Sequence, residues 1–180
     1  MKVLLDACVL FPTVMRTLLI GAAEAGLYQP LWSPRILEEW ARAVGRDDPA
    51  AGSAVRAEAA LLDVKWPASS CLPHQRDLDR LVLPDPNDVH VLASAIAGSA
   101  DLLVTLNARD FPRHTLNAEG LSRQDPDAFL RALWSEAPSK IESIAETASA
   151  QATKVSGKAM PLRSVLKRAR LPRLAKALSG

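Results

Sequence analysis

The sequence contains few cysteines, and this scarcity excludes two classes of small protein. Only Cys8 and Cys71 occur among the 180 residues, one in an apolar run and the other in a loop-like segment. Two cysteines placed in this way provide neither a disulfide framework nor the ligand spacing of a structural zinc site. We therefore expect a fold that depends on its hydrophobic core, in a protein of a reducing compartment.

Long hydrophobic runs are also absent. The first 23 residues, MKVLLDACVLFPTVMRTLLIGAA, superficially suggest a signal peptide, but Asp6 and Arg16 leave uncharged runs of only 9 and 7 residues. A helix that spans a membrane needs about 20 apolar residues, so neither run is long enough. We therefore expect a soluble, cytoplasmic protein that does not associate with membranes.

The net charge of +2 is close to zero, but the charges are unevenly distributed. Residues 1–137 hold 13 basic and 18 acidic residues, whereas residues 138–180 hold 9 basic and 2 acidic residues. The length suits one ordinary domain with an extension. The charge pattern accordingly predicts an acidic domain over residues 1–137 and a basic, helical extension over residues 138–180.

The pattern of apolar residues indicates an α/β fold. Short apolar runs that are typical of buried parallel strands cover residues 2–5, 27–32 and 102–106. Helical spacing, together with capping residues and first-turn prolines, predicts helices over residues 12–25, 34–45, 50–64, 85–97 and 125–134, with a short one near 77–83. Strands that alternate with helices in this way favour a mainly parallel sheet.

The basic extension is interpreted in three ways. Residues 139–159 suit a solvated helix or a linker, and residues 161–178 form a basic amphipathic segment interrupted at Pro172. This segment would track an RNA backbone, bind an acidic partner such as an antitoxin, or fold back on the acidic domain of its own chain. It has no aromatic residue on which a base would stack. We therefore place docking, on this chain or on a partner, ahead of RNA contact.

Several acids fall where the carboxyl ends of the predicted strands meet. Ligands bind at this edge in open parallel sheets, and carboxylates that crowd there repel one another unless a cation neutralises them. Mg²⁺ or Mn²⁺ suits oxygen ligands of this kind and promotes hydrolysis of phosphodiesters. Helix caps and solvated surface are the structural alternatives for single acids. The predicted members are Asp6, Asp85 or Asp88, Asp110, and Glu38 or Glu39.

A second enzyme class also uses an aspartate after its first strand. Phosphatases of the haloacid-dehalogenase type have Asp-x-Asp at this point, whereas the chain reads Asp6-Ala7-Cys8. The acidic domain also lacks a convincing later lysine beside an acidic pair. The sequence therefore argues against this class.

Three segments together resemble the PIN-domain family, close to its VapC-like toxin branch: LLDACVL, SPRILEEW and DPNDVHVLASAIAGSADLLVTLNARDF. The resemblance covers about residues 1–135. It implies a three-layer α/β/α sandwich and a divalent-metal site of three or four acids. It also implies cleavage of RNA, often as the toxin of a toxin–antitoxin pair.

The resemblance assigns roles to individual residues. Asp6 matches the first acid of the family, Glu39 matches the second better than Glu38 does, and Asp88 matches the third, with Asp85 beside it. The Thr-x-Asp segment of the family appears here as Thr105-Leu106-Asn107, so a neutral amide replaces an acid. The implied metal ligands are Asp6, Glu39, Asp88 and Asp110; Thr105 would orient a ligand or the attacking water, and Asn107 or Asp110 would close the site.

The resulting prediction is a Mg²⁺- or Mn²⁺-dependent endoribonuclease, the toxin of a type II toxin–antitoxin pair. Arg16, Arg109 and Arg113 are the candidates for contact with RNA. A separately encoded antitoxin and a second copy of the chain are the expected protein partners. The alternatives are a catalytically weakened PIN-like module that binds RNA or protein, because Asn107 is neutral, and a structure-specific DNA nuclease.

Overall fold

The computed structural model describes residues 1–179. In chain order the elements are β1 (Lys2–Leu5), α1 (Ala7–Leu10), α2 (Thr13–Glu24), β2 (Gln29–Leu31), α3 (Pro34–Gly45), α4 (Pro49–Lys65), α5 (Gln75–Arg80), a 3-10 helix (Pro86–Asp88), α6 (Val89–Ala97), β3 (Leu102–Val104), α7 (Arg113–Ala118), β4 (Ser122–Gln124), α8 (Pro126–Glu136), α9 (Pro138–Ser156), α10 (Leu162–Arg168) and α11 (Pro172–Ala177).

The contacts between residues divide the chain into two compact units. The first unit comprises residues 1–11 and 29–124, and the second comprises residues 12–28 and the chain from residue 125 onward. The first unit contains all four strands, whereas the second contains α2 and α8 to α11. The boundary after residue 137, which the charge pattern predicts, stays a prediction.

The first unit is built on a four-stranded parallel sheet. The strand order is β2-β1-β3-β4, and Val3 is paired with Pro30 on one side and with Leu102 on the other. The two central strands carry fully buried aliphatic side chains, which explains their uniformly apolar sequence. The predicted α/β class with a parallel sheet is confirmed, although β3 ends at Val104 rather than at residue 106.

Helices α3 and α4 of the first unit begin at the predicted type of signal and pack closely. The Ser33 hydroxyl accepts a hydrogen bond from the Ile36 amide (3.3 Å), and Pro34 occupies the first turn of α3. The backbones meet at two glycines, because a Cβ atom added to Gly52 would lie 2.8 Å from the Gly45 Cα atom. Gly45 therefore ends α3 and also permits the contact with α4.

The second unit shows what the basic extension forms. Its first part is a 19-residue helix, α9, rather than a linker, and Pro172 separates α10 from α11 as predicted. Both oxygens of the buried Asp127 carboxylate accept backbone hydrogen bonds at the start of α11, from Arg173 (2.8 Å) and Leu174 (2.9 Å). The Arg173 guanidinium also forms an ion pair with Asp125 (3.3 Å). The extension thus folds onto a helix of its own unit.

A largely apolar cavity of about 680 Å³ lies within the second unit, between α2, α9 and α10. Val14, Val155 and Val165 are among the residues that line it. None of the helices in the described part of the chain is long and apolar enough to cross a membrane.

Candidate metal centre

The ends of two adjacent strands bring Asp6 and Thr105 together. Asp6 directly follows β1 and is buried, and Thr105 directly follows β3, to which β1 is paired. The Thr105 hydroxyl donates a hydrogen bond to Asp6 Oδ2 (2.6 Å) and accepts one from the Asn107 amide (2.9 Å). Thr105 therefore fixes the first acid and the loop after β3 in one arrangement.

Cys8 also contacts the Asp6 carboxylate. Its thiol donates to Asp6 Oδ2 (3.1 Å), and its sulfur accepts a hydrogen bond from the Leu106 amide (3.2 Å). Burial, together with the negative charge of Asp6, raises the pKa of the Cys8 thiol to about 12. The protonated thiol is thus a second donor to Asp6, a polar role that its apolar sequence context did not indicate.

Three further carboxylates converge in the same unit. Oxygen atoms of Asp85, Asp88 and Asp110 lie within 4.8 Å of one another, and all three side chains are half-buried. We call these residues the acidic triad. The 3-10 helix positions the first two, and Asp85 Oδ1 accepts a hydrogen bond from the Asn87 amide (2.9 Å) at its start. The loop after β3 contributes Asp110.

The acidic triad and Asp6 form a concentrated negative charge. Burial, followed by the charges of Asp6, Asp85 and Asp110, raises the pKa of the Asp88 carboxyl to about 6, while His90 acts in the opposite direction. A divalent cation would relieve this repulsion, and carboxylate oxygens are the ligands that Mg²⁺ and Mn²⁺ prefer. The residues present therefore fit such an ion.

Asn107, where the family has an acid, faces the acidic triad. Its side-chain amide donates a hydrogen bond to Asp88 Oδ2 (2.9 Å). An amide donor partly satisfies the carboxylate but adds no negative charge. Asn107 therefore contributes a hydrogen bond, but no charge, to this cluster of carboxylates.

Glu39 lies on α3, outside the acidic triad. Its Oε1 atom is 3.0 Å from His90 Nε2 and 2.9 Å from Arg35 Nε. Partial burial raises the pKa of Glu39, but the hydrogen bonds and positive charges of His90 and Arg35 outweigh it and hold the pKa below its ordinary value. The neighbouring Glu38 binds two arginines instead. The role of Glu39 as a metal ligand stays a prediction.

The three predicted RNA-contacting arginines occupy different places. Arg109 and Arg113 are exposed, one in the loop that carries Asp110 and the other at the start of α7. Arg16 is half-buried on α2 in the second unit. Their contact with RNA stays a prediction.

The sequence indicated Asp85 only as an alternative to Asp88 or as its neighbour, and it assigned no role to His90. Asp85 is both a helix cap and a member of the acidic triad, and two aspartates three residues apart across a proline were the available signal. His90 is buried, contacts Glu39 and lowers the pKa of Asp88. It had no distinctive sequence signal, because a histidine on an apolar helix face is most often part of the core.

The first unit is thus a parallel α/β structure whose clustered carboxylates could hold a divalent cation. The family model of the PIN domain matches residues 2–109, which is more than half of the chain, and the chain belongs to the PIN-domain family. PIN domains are generally nucleases and typically use divalent metals. Comparisons with curated proteins and with solved structures gave no match.

Proposed function

We propose that this protein is a divalent-metal-dependent endoribonuclease that acts as the toxin of a type II toxin–antitoxin pair. The observation that carries the proposal is the acidic triad, with its carboxylate oxygens within 4.8 Å of one another, together with the charge of Asp6. Membership of the PIN-domain family supports nuclease activity. The choice of RNA and the toxin role depend on the resemblance of the sequence motifs to the VapC-like branch.

Asp85, Asp88 and Asp110 would hold the cation, with Asp6 and Glu39 as the additional ligands that the family resemblance implies. A bound Mg²⁺ or Mn²⁺ supplies Lewis acidity for hydrolysis of a phosphodiester. Both ions accept oxygen ligands and retain several waters. The ligand set favours neither ion over the other.

The residues around the carboxylates have two tasks in this proposal. Thr105 and Cys8 both donate to Asp6 Oδ2, so they fix the direction of this carboxylate. Arg109 and Arg113 attract the phosphates that an acidic site would otherwise repel. Both are exposed, which suits contact with a polymer rather than with a small substrate.

The partners follow from the same proposal. RNA is the substrate, a separately encoded antitoxin restrains the activity, and a second copy of the chain forms a homodimer. The exposed bases of α10 and α11 are available to an acidic partner, since Lys167, Arg168 and Lys176 all face solvent.

The decisive experiment compares cleavage of labelled RNA with Mn²⁺, with Mg²⁺ and with a chelator. We expect cleavage with a divalent cation, its loss with the chelator, and at least about a 100-fold reduction in Asp6→Asn. Asp47→Asn, which alters an exposed aspartate on the segment between α3 and α4, is the matched control. Undiminished cleavage by Asp6→Asn would overturn the proposal, and cleavage of flap DNA alone would make the protein a DNA nuclease.

A second candidate function is a weakened PIN-like module that binds RNA or protein without turnover. The hydrogen bond from Asn107 to Asp88 favours it, because this amide occupies a carboxylate oxygen that a cation would use. This candidate predicts RNA binding in a filter assay without cleavage under any divalent cation. Metal-dependent turnover by the wild-type chain would exclude it.

A further inference from the structure

His90 is a buried histidine whose two nitrogens have different surroundings. The residue is 4% exposed on α6, and its Nε2 atom lies 3.0 Å from Glu39 Oε1. Its Nδ1 atom is buried and has no hydrogen-bond partner among the described residues. The contact with Glu39 is therefore the one that uses the polarity of this side chain.

The chemistry of the contact defines which atom carries the proton. An ionised carboxylate only accepts hydrogen bonds, so Nε2 must be the donor. A histidine retained for packing alone gains nothing from an unpaired buried nitrogen, because burial of a polar atom without a partner costs free energy. The hydrogen bond to Glu39 thus offsets part of the free-energy cost of burying this polar side chain.

The same contact connects α3 with α6, which directly follows the 3-10 helix with Asp85 and Asp88. Arg35 makes a parallel connection, since its guanidinium donates to Glu39 Oε1 (2.9 Å) and to the Asn87 carbonyl oxygen (3.4 Å). Neither of these hydrogen bonds, nor the one from His90, uses Glu39 Oε2. His90 also lies close enough to Asp88 to oppose the upward shift of its pKa.

We infer that His90 is a positioning residue that holds the Glu39 carboxylate, through Oε1, in the orientation in which Glu39 takes part in cation binding with the acidic triad. The inference rests on the proposed function, because it treats Glu39 as a ligand. His90 itself binds neither the cation nor the RNA. Partners that orient metal ligands in this way commonly change metal affinity by about 10- to 100-fold when they are removed.

The test measures Mn²⁺ affinity by calorimetry, without RNA. We expect His90→Leu to weaken Mn²⁺ binding by about tenfold and His90→Gln, whose amide can donate from a similar position, to restore it to within about threefold of wild type. His114→Leu, at an exposed histidine on α7, is the matched control and should bind as wild type. Circular dichroism and thermal unfolding verify that each variant is folded.

A double-mutant cycle then asks whether His90 acts through Glu39. In a Glu39→Gln background, the loss caused by His90→Leu should shrink to less than about twofold, because the orienting contact no longer has its carboxylate. An undiminished loss in that background, or wild-type affinity in folded His90→Leu, would overturn the inference while leaving the metal site intact. Absence of Mn²⁺ binding by the wild-type chain would instead overturn the proposed function.

Discussion

Two aspartates of the first unit, Asp77 and Asp88, have opposite electrostatic surroundings. Asp77 is completely buried, and Arg80 Nε lies 2.7 Å from its Oδ1 atom. The hydrogen bond and charge of Arg80 hold the pKa of Asp77 below its ordinary value, despite burial. Around Asp88 the neighbouring charges are other carboxylates, and its pKa rises to about 6. Asp77 thus has its counter-ion, Arg80, within the fold, whereas the charges around Asp88 are mainly other carboxylates.

The same contrast extends to other acids of this unit. Glu38 binds Arg42 and Arg56, each at 2.9 Å, and its hydrogen bonds to them lower its pKa to about 2. Asp85 instead accepts hydrogen bonds from the backbone and side-chain amides of Asn87, and Asp88 accepts one from the side-chain amide of Asn107. Arginines thus neutralise Asp77 and Glu38, whereas no arginine forms an ion pair with Asp85 or Asp88 among the ion pairs described above.

The largest expected effect is a difference in RNA cleavage between variants of Asp88 and of Asp77. Asp88→Asn should reduce metal-dependent RNA cleavage by at least about 100-fold, because it removes a central charge of the triad. Asp77→Asn should cleave RNA at a rate within about threefold of wild type per folded molecule. Initial rates at saturating Mn²⁺, measured at a temperature where both variants are folded, provide the comparison. Equal losses in the two variants would show that charge at the triad has no special role.

Of the two arginines beside Asp77, Arg80 should contribute much more to thermal stability than Arg76. Arg80 donates to Asp77 and, through two nitrogens, to Glu119 (2.6 and 2.7 Å), whereas Arg76 is 81% exposed and 3.7 Å from Asp77. Arg80→Leu leaves a buried carboxylate without its partner and should lower Tm by about 5 °C. Arg76→Leu is the control and should change Tm by less than about 1 °C. Similar Tm values for the two variants would contradict the structural role of Arg80.

Local sequence signals predicted the elements that build the rim of the sheet. Ser33-Pro34 indicated the start of α3, and the apolar run at residues 102–106 indicated β3, because a cap and a buried strand each leave a local pattern. Strand β4 was not predicted. Its three residues, Ser122–Gln124, are polar and largely exposed, so pairing with β3 and not hydrophobicity makes them a strand.

For the candidate site too, the sequence indicated individual residues but not the contacts between them. Asp6 and Asp88 stood out because each follows or opens an element at the same edge of the sheet. The contact between Glu39 and His90 was not predictable, since it joins positions 51 residues apart whose approach depends on how α3 and α6 pack. The hydrogen bond from Thr105 to Asp6 similarly depends on the register between β1 and β3.

Asn107→Asp adds a carboxylate next to Asp88. It replaces a donor, 2.9 Å from Asp88 Oδ2, by a further negative group, so Mn²⁺ affinity should rise by about fivefold. The same variant without metal should be less stable, because the added charge repels Asp88. Calorimetry and thermal unfolding report the two effects. Asn117→Asp, on the exposed side of α7, is the control, and unchanged affinity in Asn107→Asp would place residue 107 outside the site.

The smallest effect concerns Asp88 in the metal-free protein. A pKa raised from 3.8 to about 6 means that between these pH values the folded chain binds more protons than the unfolded chain. Stability contributed by this group is therefore lost as pH rises through that window, and the penalty is complete above pH about 6. Asp88→Asn lacks the penalty, so it should be more stable than wild type by about 1 kcal/mol at pH 7 after solvent screening, and by almost nothing near pH 4.

Urea unfolding of wild type and Asp88→Asn in a chelator, at a series of pH values, measures this difference. Addition of Mn²⁺ at pH 7 should make wild type more stable than Asp88→Asn. The cation stabilises the folded wild type, whereas the variant lacks one of its ligands. Asp79→Asn, at an exposed acid on α5, should show neither the pH-dependent gain nor the reversal. A constant difference across the pH series would mean that the neighbouring carboxylates do not strain Asp88. The contrast with Asp77 would then rest on the ion pair between Asp77 and Arg80 alone.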